Sequence, residues 1–392
     1  MLGSLPKLFD KNFVIGFYLP TLLAIIACAW AFPSLPFSET VRSLAASEKI
    51  LGDLTYLAVA VWVLAIFLMT FNEVQYRLLE GYLPPVSWLF LLRRWHRWRF
   101  RRLKRKYDKL MTKWQVAVDN GQDLSWREQR RAAYLLRRRK THYPSTESEI
   151  LPTRFGNIIR SFEVYPRELY CADSIAVWPR LASVIPKEFG GFLDDARAQV
   201  SFFVNITDLA LLIALTSFAG AAYDSNWLQL TKPNIRTLDG LLSFLGPAGL
   251  RHAAWAAIAL IIAGLAYSQA TARALTWGEL VKSAFDCYLP ALIKQLGFVL
   301  PPSHSEHREF WKEFNRRILF QLPMTANRWP LASEVVSKQE PPKPLPDTEP
   351  KEPAEEQQGQ ENRTMVIDVP VAVETRSAPS RDPPPSCAPA SR

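Results

Sequence analysis

The chain has 392 residues, a formal net charge of +10 and 48% hydrophobic residues. At roughly 100–200 residues per domain that length would suit two or three soluble domains, but the apolar residues are gathered into a few runs of near membrane-spanning length, with strongly charged sequence between them. That distribution excludes an ordinary soluble multidomain plan. The four cysteines, at 28, 171, 287 and 387, form no CxxC pair, which excludes a zinc or thiol-redox motif and predicts free thiols in a reducing compartment.

Residues 13–32 are uncharged and long enough to cross about 30 Å of hydrocarbon. Pro20 lies inside this run; it removes one backbone donor, and the freed carbonyl then needs a neighbouring helix. Lys7, Lys11 and the Ala29-Trp30-Ala31 triplet also fit a signal peptide. The apolar run is longer than the usual signal core and carries a proline, so an uncleaved anchor is expected. Residues 54–71 form the second expected span, after a short outer loop.

The next segment opens with the helix breaker Tyr82-Leu83-Pro84-Pro85 and an apolar lead-in, Trp88–Leu92. Arg93–Lys106 follows, with nine Lys or Arg in fourteen residues and no acid. Positive charge close to a span stays on the cytoplasmic side. Arg93, Arg94, Arg97, Arg99, Arg101, Arg102, Lys104, Arg105 and Lys106 are therefore the candidate contacts for anionic lipid headgroups. Interleaved Trp95, Trp98 and Phe100 also fit a single-stranded nucleic-acid surface, and the charge alone fits an acidic protein partner. Closeness to the span ranks lipid first and nucleic acid low. The turn at Asn120-Gly121-Gln122-Asp123 and a capping box at Ser125–Glu128 predict an antiparallel helical hairpin over 72–140. Its two basic ends, Arg93–Lys106 and Arg137–Lys140, would come together.

Residues 141–199 form a Pro-rich helical module, in which Pro152, Pro166, Pro179 and Pro186 limit helix length. From Lys187 one continuous helix is predicted to enter the membrane as the third span, 200–223. Ala210, Ala214, Ser217 and Ala221 make a small-residue stripe along it. Asn205 and Asp208 are its polar residues and the candidate intramembrane site. The fourth span, 250–269, should continue as a helix past the membrane. Ser303–Glu306 caps a further helix bearing Phe310, Trp311, Phe314 and Ile318 on one face, so 270–322 reads as helical and cytoplasmic. Residues 337–392 are rich in Pro, Glu and Ser and read as a disordered tail.

The fold expectation is thus an all-α membrane protein with transmembrane pairs at 1–71 and 200–269, a cytoplasmic helical module and a disordered C-terminal tail. Both termini would be cytoplasmic. His304 and His307 are too few for a metal site, no nucleotide-binding or hydrolase signature is present, and no cofactor is expected.

Two stretches carry a resemblance. Leu151-Pro152-Thr153-Arg154-Phe155-Gly156-Asn157-Ile158-Ile159-Arg160, with Tyr165-Pro166, Asp173-Ser174 and Trp178–Leu181, is one; Trp277-Gly278-Glu279-Leu280, with Ala284-Phe285-Asp286 and Leu296-Gly297, is the other. They resemble a family of uncharacterised bacterial multi-pass inner-membrane proteins. The resemblance implies an inner-membrane location and cytoplasmic helices, and brings no activity or site residue. Since both stretches fall on one side of the membrane, they are expected to pack together. The functional expectation is a non-enzymatic membrane scaffold that binds a protein partner or a second copy of itself. The alternatives are an oligomeric channel or transporter, and a membrane-linked enzyme with a site in 151–186 built from Glu163, Asp173 and nearby arginines.

Overall fold

The computed structural model describes residues 10–43, 50–225, 238–324 and 328–331. The expected disordered tail at 337–392 lies outside the described residues. Among them every regular element is helical, and one isolated bridge joins Phe298 to Leu331.

Helix α1 spans Lys11–Ala31, with a π-helical turn at Val14–Tyr18 just before Pro20. Helix α2 is Pro36–Ser43, α3 is Ile50–Thr70 and α4 is Asn72–Glu80. Helices α5, Phe90–Asp119, and α6, Trp126–His142, form the hairpin. The short helices α7 Arg154–Glu163, α8 Tyr165–Tyr170 and α9 Ser174–Leu181 follow. Two long helices, α10 Lys187–Tyr223 and α11 Leu238–Gln295, run antiparallel, and α12 is His304–Phe320. Helix α11 breaks at Gly246, whose φ of 64° with ψ of 177° is not helical.

Three helices are long and apolar enough to cross a membrane: Lys11–Ala31, Lys187–Tyr223 and Phe244–Gln295. The expected second span at 54–71 differs. Leu54–Thr70 and Asn72–Glu80 meet that standard only as a pair, bent by 53°. The bend falls at Phe71, where the apolar run gives way to Asn72 and Glu73 and the backbone leaves helical geometry.

Two packing regimes coexist. Around α1, α10 and α11 the interior is mostly small: Ala29, Ala31, Ala214, Ser217, Ala259 and Ala263 are buried, with Phe13 and Ile213 the larger side chains beside them, while Leu212, Leu215, Phe218, Ile261 and Leu265 point outward and stay exposed. Beyond them, the far ends of α10 and α11 carry α7–α9 and α12 around a large-residue core of Phe155, Phe285, Phe310 and Trp311, each fully buried. The small-residue stripe of α10 is buried within the chain. Close approach follows: a Cβ on Gly220 would stand 3.2 Å from the His252 ring on α11.

The two resembling stretches do pack together. Phe162 meets Trp277 edge-on at 5.2 Å, above Gly278, where a Cβ would come within 2.5 Å of the Phe162 ring. Tyr165 and Tyr170 donate their hydroxyls to the Asp286 carboxylate at 3.0 and 2.8 Å. Burial and this bond push both phenols above their ordinary pKa. The Leu151–Asn157 stretch is a stitched turn. Thr153 caps α7 by accepting from the Gly156 N–H at 2.9 Å, and buried Asn157 bonds Leu151 through both its amide groups. Gly156 lets the backbone of α4 approach: a Cβ there would fall 2.1 Å from the Glu80 carbonyl oxygen.

Of the two capping boxes, Ser303 accepts from the Glu306 N–H at 3.3 Å. Ser125 instead gives its hydroxyl to the Glu128 carboxylate and leaves the backbone uncapped. Cys28 and Cys287 are free thiols, as expected.

Candidate functional site

The hairpin fixes the geometry of its basic end. Lys113 faces Glu128 at 3.8 Å, the Arg139 guanidinium covers Tyr107 at 5.3 Å, and Phe100 meets Tyr143 edge-on. Helices α5 and α6 are therefore antiparallel and bring Arg99 and Arg138 to one place. That place is a cavity of about 750 Å³, bounded by the start of α5, the end of α6, the 152–154 turn, α4 and the middle of α10 and α11.

The nine cations of Arg93–Lys106 divide by surroundings. Arg93 donates to the Ile150 carbonyl at 2.7 Å, and Arg101 pairs with Glu147. Arg97 has a buried Nε without an acceptor. Arg102 lies over Trp98 at 5.3 Å, and Arg99 lies over Trp95 at 5.1 Å in the cavity wall. Arg94, Lys104, Arg105 and Lys106 are exposed. Beside them Trp88, Phe90, Leu91, Trp95 and Trp98 also stand exposed, giving a mixed cationic and apolar surface.

Asn205 and Asp208 part company. Asn205 is fully buried and donates to the Gly16 carbonyl of α1 at 2.7 Å. Gly16 is four residues before Pro20, so its oxygen is the acceptor that the missing proline N–H leaves free. Asn205 fills that role from a different helix, which packs against Gly16 through Ser201 and Ala198. Asp208 lines the cavity, and its buried Oδ2 has no hydrogen-bond partner.

Three cavity residues, His96, His142 and Tyr143, carry no signal in the linear sequence, and Arg154 joins them from the 151–186 segment. His96 is buried with its Nδ1 3.3 Å from the Tyr143 hydroxyl. Burial, then Arg99 and Arg154, push its pKa down to about 4. His142 falls to about 4 through burial, then Arg154, Arg138 and Arg99. Both imidazoles are therefore neutral near pH 7. Arg154 starts α7 beneath the Tyr267 hydroxyl, which accepts from the backbone N–H groups of Arg154 and Phe155 at 3.1 and 3.2 Å. The antiparallel fold of the hairpin is what sets position 96 against 142–143.

No protein-family model, curated protein or solved structure matches the chain. Function is therefore argued from its own residues. Among the described residues no group of three or more His, Cys, Asp or Glu could hold a metal ion. Within 151–186, Asp173 caps α9 through the Ala176 N–H at 2.9 Å, and Arg160 bridges Glu149 and Glu163 at 3.0 and 3.2 Å.

Proposed function

We propose that the protein is a multi-pass membrane scaffold without enzymatic activity, holding a helical module against the cytoplasmic face of a bacterial inner membrane. In this reading α1, 54–71, α10 and α11 supply four spans, and both termini are cytoplasmic. The hairpin and the α7–α9 and α12 cluster form the cytoplasmic module. The carrying observation is the inverted packing of α1, α10 and α11, with small residues inside and large apolar residues outside. Water disfavours such a surface, whereas lipid accepts it. Sidedness rests on the position of the basic residues. Exposed Arg94, Lys104, Arg105 and Lys106 would touch anionic headgroups, and the module would receive a protein partner or a second copy.

Sidedness is tested at a single thiol. Cys287 is exposed on the same module and decides the matter. With Cys287 as the sole cysteine, a membrane-impermeant maleimide should label only permeabilised cells. Labelling of intact cells would reverse the proposed sidedness. The scaffold role predicts a stoichiometric soluble partner in native membranes, lost on deleting 93–140.

A second reading, an oligomeric channel, is favoured by one observation: the unpartnered Oδ2 of Asp208 within a predicted span. Ion flux in liposomes that Asp208→Asn abolishes would replace the scaffold reading with this one.

A further inference from the structure

The cavity at the foot of the hairpin has two chemically different ends. One wall is apolar and comes from α10 and α11, with Leu211, Leu260 and Gly264. Gly264 has open space where a Cβ would stand. The other wall carries three arginines, Arg99, Arg138 and Arg154. Two of them are held by neutral groups: Arg99 by the Trp95 ring, and Arg138 by the Tyr134 hydroxyl, to which it donates at 2.9 Å. Such contacts fix a guanidinium in place and leave its charge unneutralised. Burial first, and then these arginines, hold His96 and His142 below the ordinary imidazole pKa. The single carboxyl in the wall, Asp208, stands among the apolar residues of α10 and forms no ion pair with these arginines among the described residues.

A small soluble anion would satisfy the arginines and leave the apolar wall wet. A neutral acyl chain would do the reverse. Only a ligand anionic at one end and apolar at the other matches both walls. At about 750 Å³ the cavity is in the usual range of roughly 300–1,000 Å³ for ligand sites. Arginine forks suit phosphate oxygens through paired hydrogen bonds.

We propose that this cavity binds one phosphate-bearing membrane lipid, its phosphate between Arg99, Arg138 and Arg154 and an acyl chain along Leu211, Leu260 and Gly264. The bound lipid would join the hairpin to α10 and α11. This inference rests on the reading that α10 and α11 cross a membrane, which retention of the chain in native membranes washed at alkaline pH tests separately.

The test uses the full chain in a neutral detergent, titrated with phosphatidic acid, phosphatidylcholine or inorganic phosphate and read by native mass spectrometry. One phosphatidic acid per chain is expected, bound about tenfold or more tightly than phosphatidylcholine, with no competition from inorganic phosphate. The triple variant Arg99→Gln, Arg138→Gln, Arg154→Gln should lose that preference. Gly264→Leu, which fills open space on the apolar wall, should weaken phosphatidic acid by about tenfold. Should the triple variant misfold by circular dichroism, Gly264→Leu alone decides. Equal binding of both lipids would overturn the proposal, as would retention of phosphatidic acid by Gly264→Leu. Competition by inorganic phosphate would indicate a soluble-anion site instead. If Arg94→Gln with Arg105→Gln removes the lipid as fully as the triple variant, surface charge is responsible and the cavity is not the site.

Discussion

The bundle of α1, α10 and α11 and the cluster of α7–α9 with α12 are built on opposite rules, although α10 and α11 run through both. In the bundle Ala214, Ser217 and Ala259 are inside and Phe218 and Ile261 are outside. In the cluster Phe285, Phe310 and Trp311 are inside. Where water surrounds the chain, burying large apolar side chains drives packing, at about 25 cal/mol per Å². Where lipid surrounds it, large side chains gain little by turning inward, and close backbone approach through small residues takes over. One helix can therefore change its packing rule along its length when its surroundings change.

The largest test of this contrast is to remove bulk on each side. Trp311→Ala should destabilise the cluster by about 3–5 kcal/mol. Phe218→Ala, on an exposed face, should move thermal unfolding in detergent by under about 0.5 kcal/mol. A large loss at Phe218 would mean that this face is buried in the assembled protein.

Glycines extend the comparison. Gly156→Ala forces a Cβ onto the Glu80 carbonyl oxygen at 2.1 Å, and chemical denaturation should report a loss of about 1–3 kcal/mol or more. Gly264→Ala meets nothing within 4 Å and should stabilise α11 by up to about 1 kcal/mol. Equal effects would erase the distinction between a required close contact and an open wall.

Asn205→Ala strands the Gly16 oxygen inside the bundle. Hydrogen bonds between membrane helices average about 0.6 kcal/mol, so a loss near 1 kcal/mol is expected. Replacing Pro20 with Ala restores the backbone donor and should rescue most of it. Failure of that rescue would show that the Asn205 bond serves something other than the proline.

The smallest effect is in pH. His96 and His142 titrate near 4 in the folded chain, against an ordinary 6.5. The unfolded chain takes up their protons first as pH falls. Their contribution to stability is therefore complete above about 6.5 and is lost on acidification towards 4. His142 is partly exposed, so solvent screening reduces its share of the loss. His96→Gln, neutral at every pH, should flatten the acid limb of a melting-temperature profile measured from pH 4 to 7. An unchanged limb would place the titrating group elsewhere.

Much of the chain could be read one helix at a time. The break at Asn120–Asp123, the continuous helix from Lys187, and the face of Phe310, Trp311 and Phe314 all rest on near-neighbour spacing, which the sequence displays directly. The bend at Phe71 was not legible, because the change from apolar to polar residues there is also what a plain span end looks like. Asn205 was visible as a polar residue and Pro20 as a missing donor, but they are far apart in the chain. Nothing local paired the donor of one with the carbonyl freed by the other.

By itself, the sequence determined the helices, their apolar or charged character and the concentration of positive charge at Arg93–Lys106. These follow from periodicity and composition, which act over a few turns. The tertiary structure alone decided that Asn205 closes the gap left by Pro20. It also decided that Arg99, Arg138 and Arg154 meet over an apolar wall at Gly264. Such groupings depend on how separate helices lie against one another, and that is set by the whole packing.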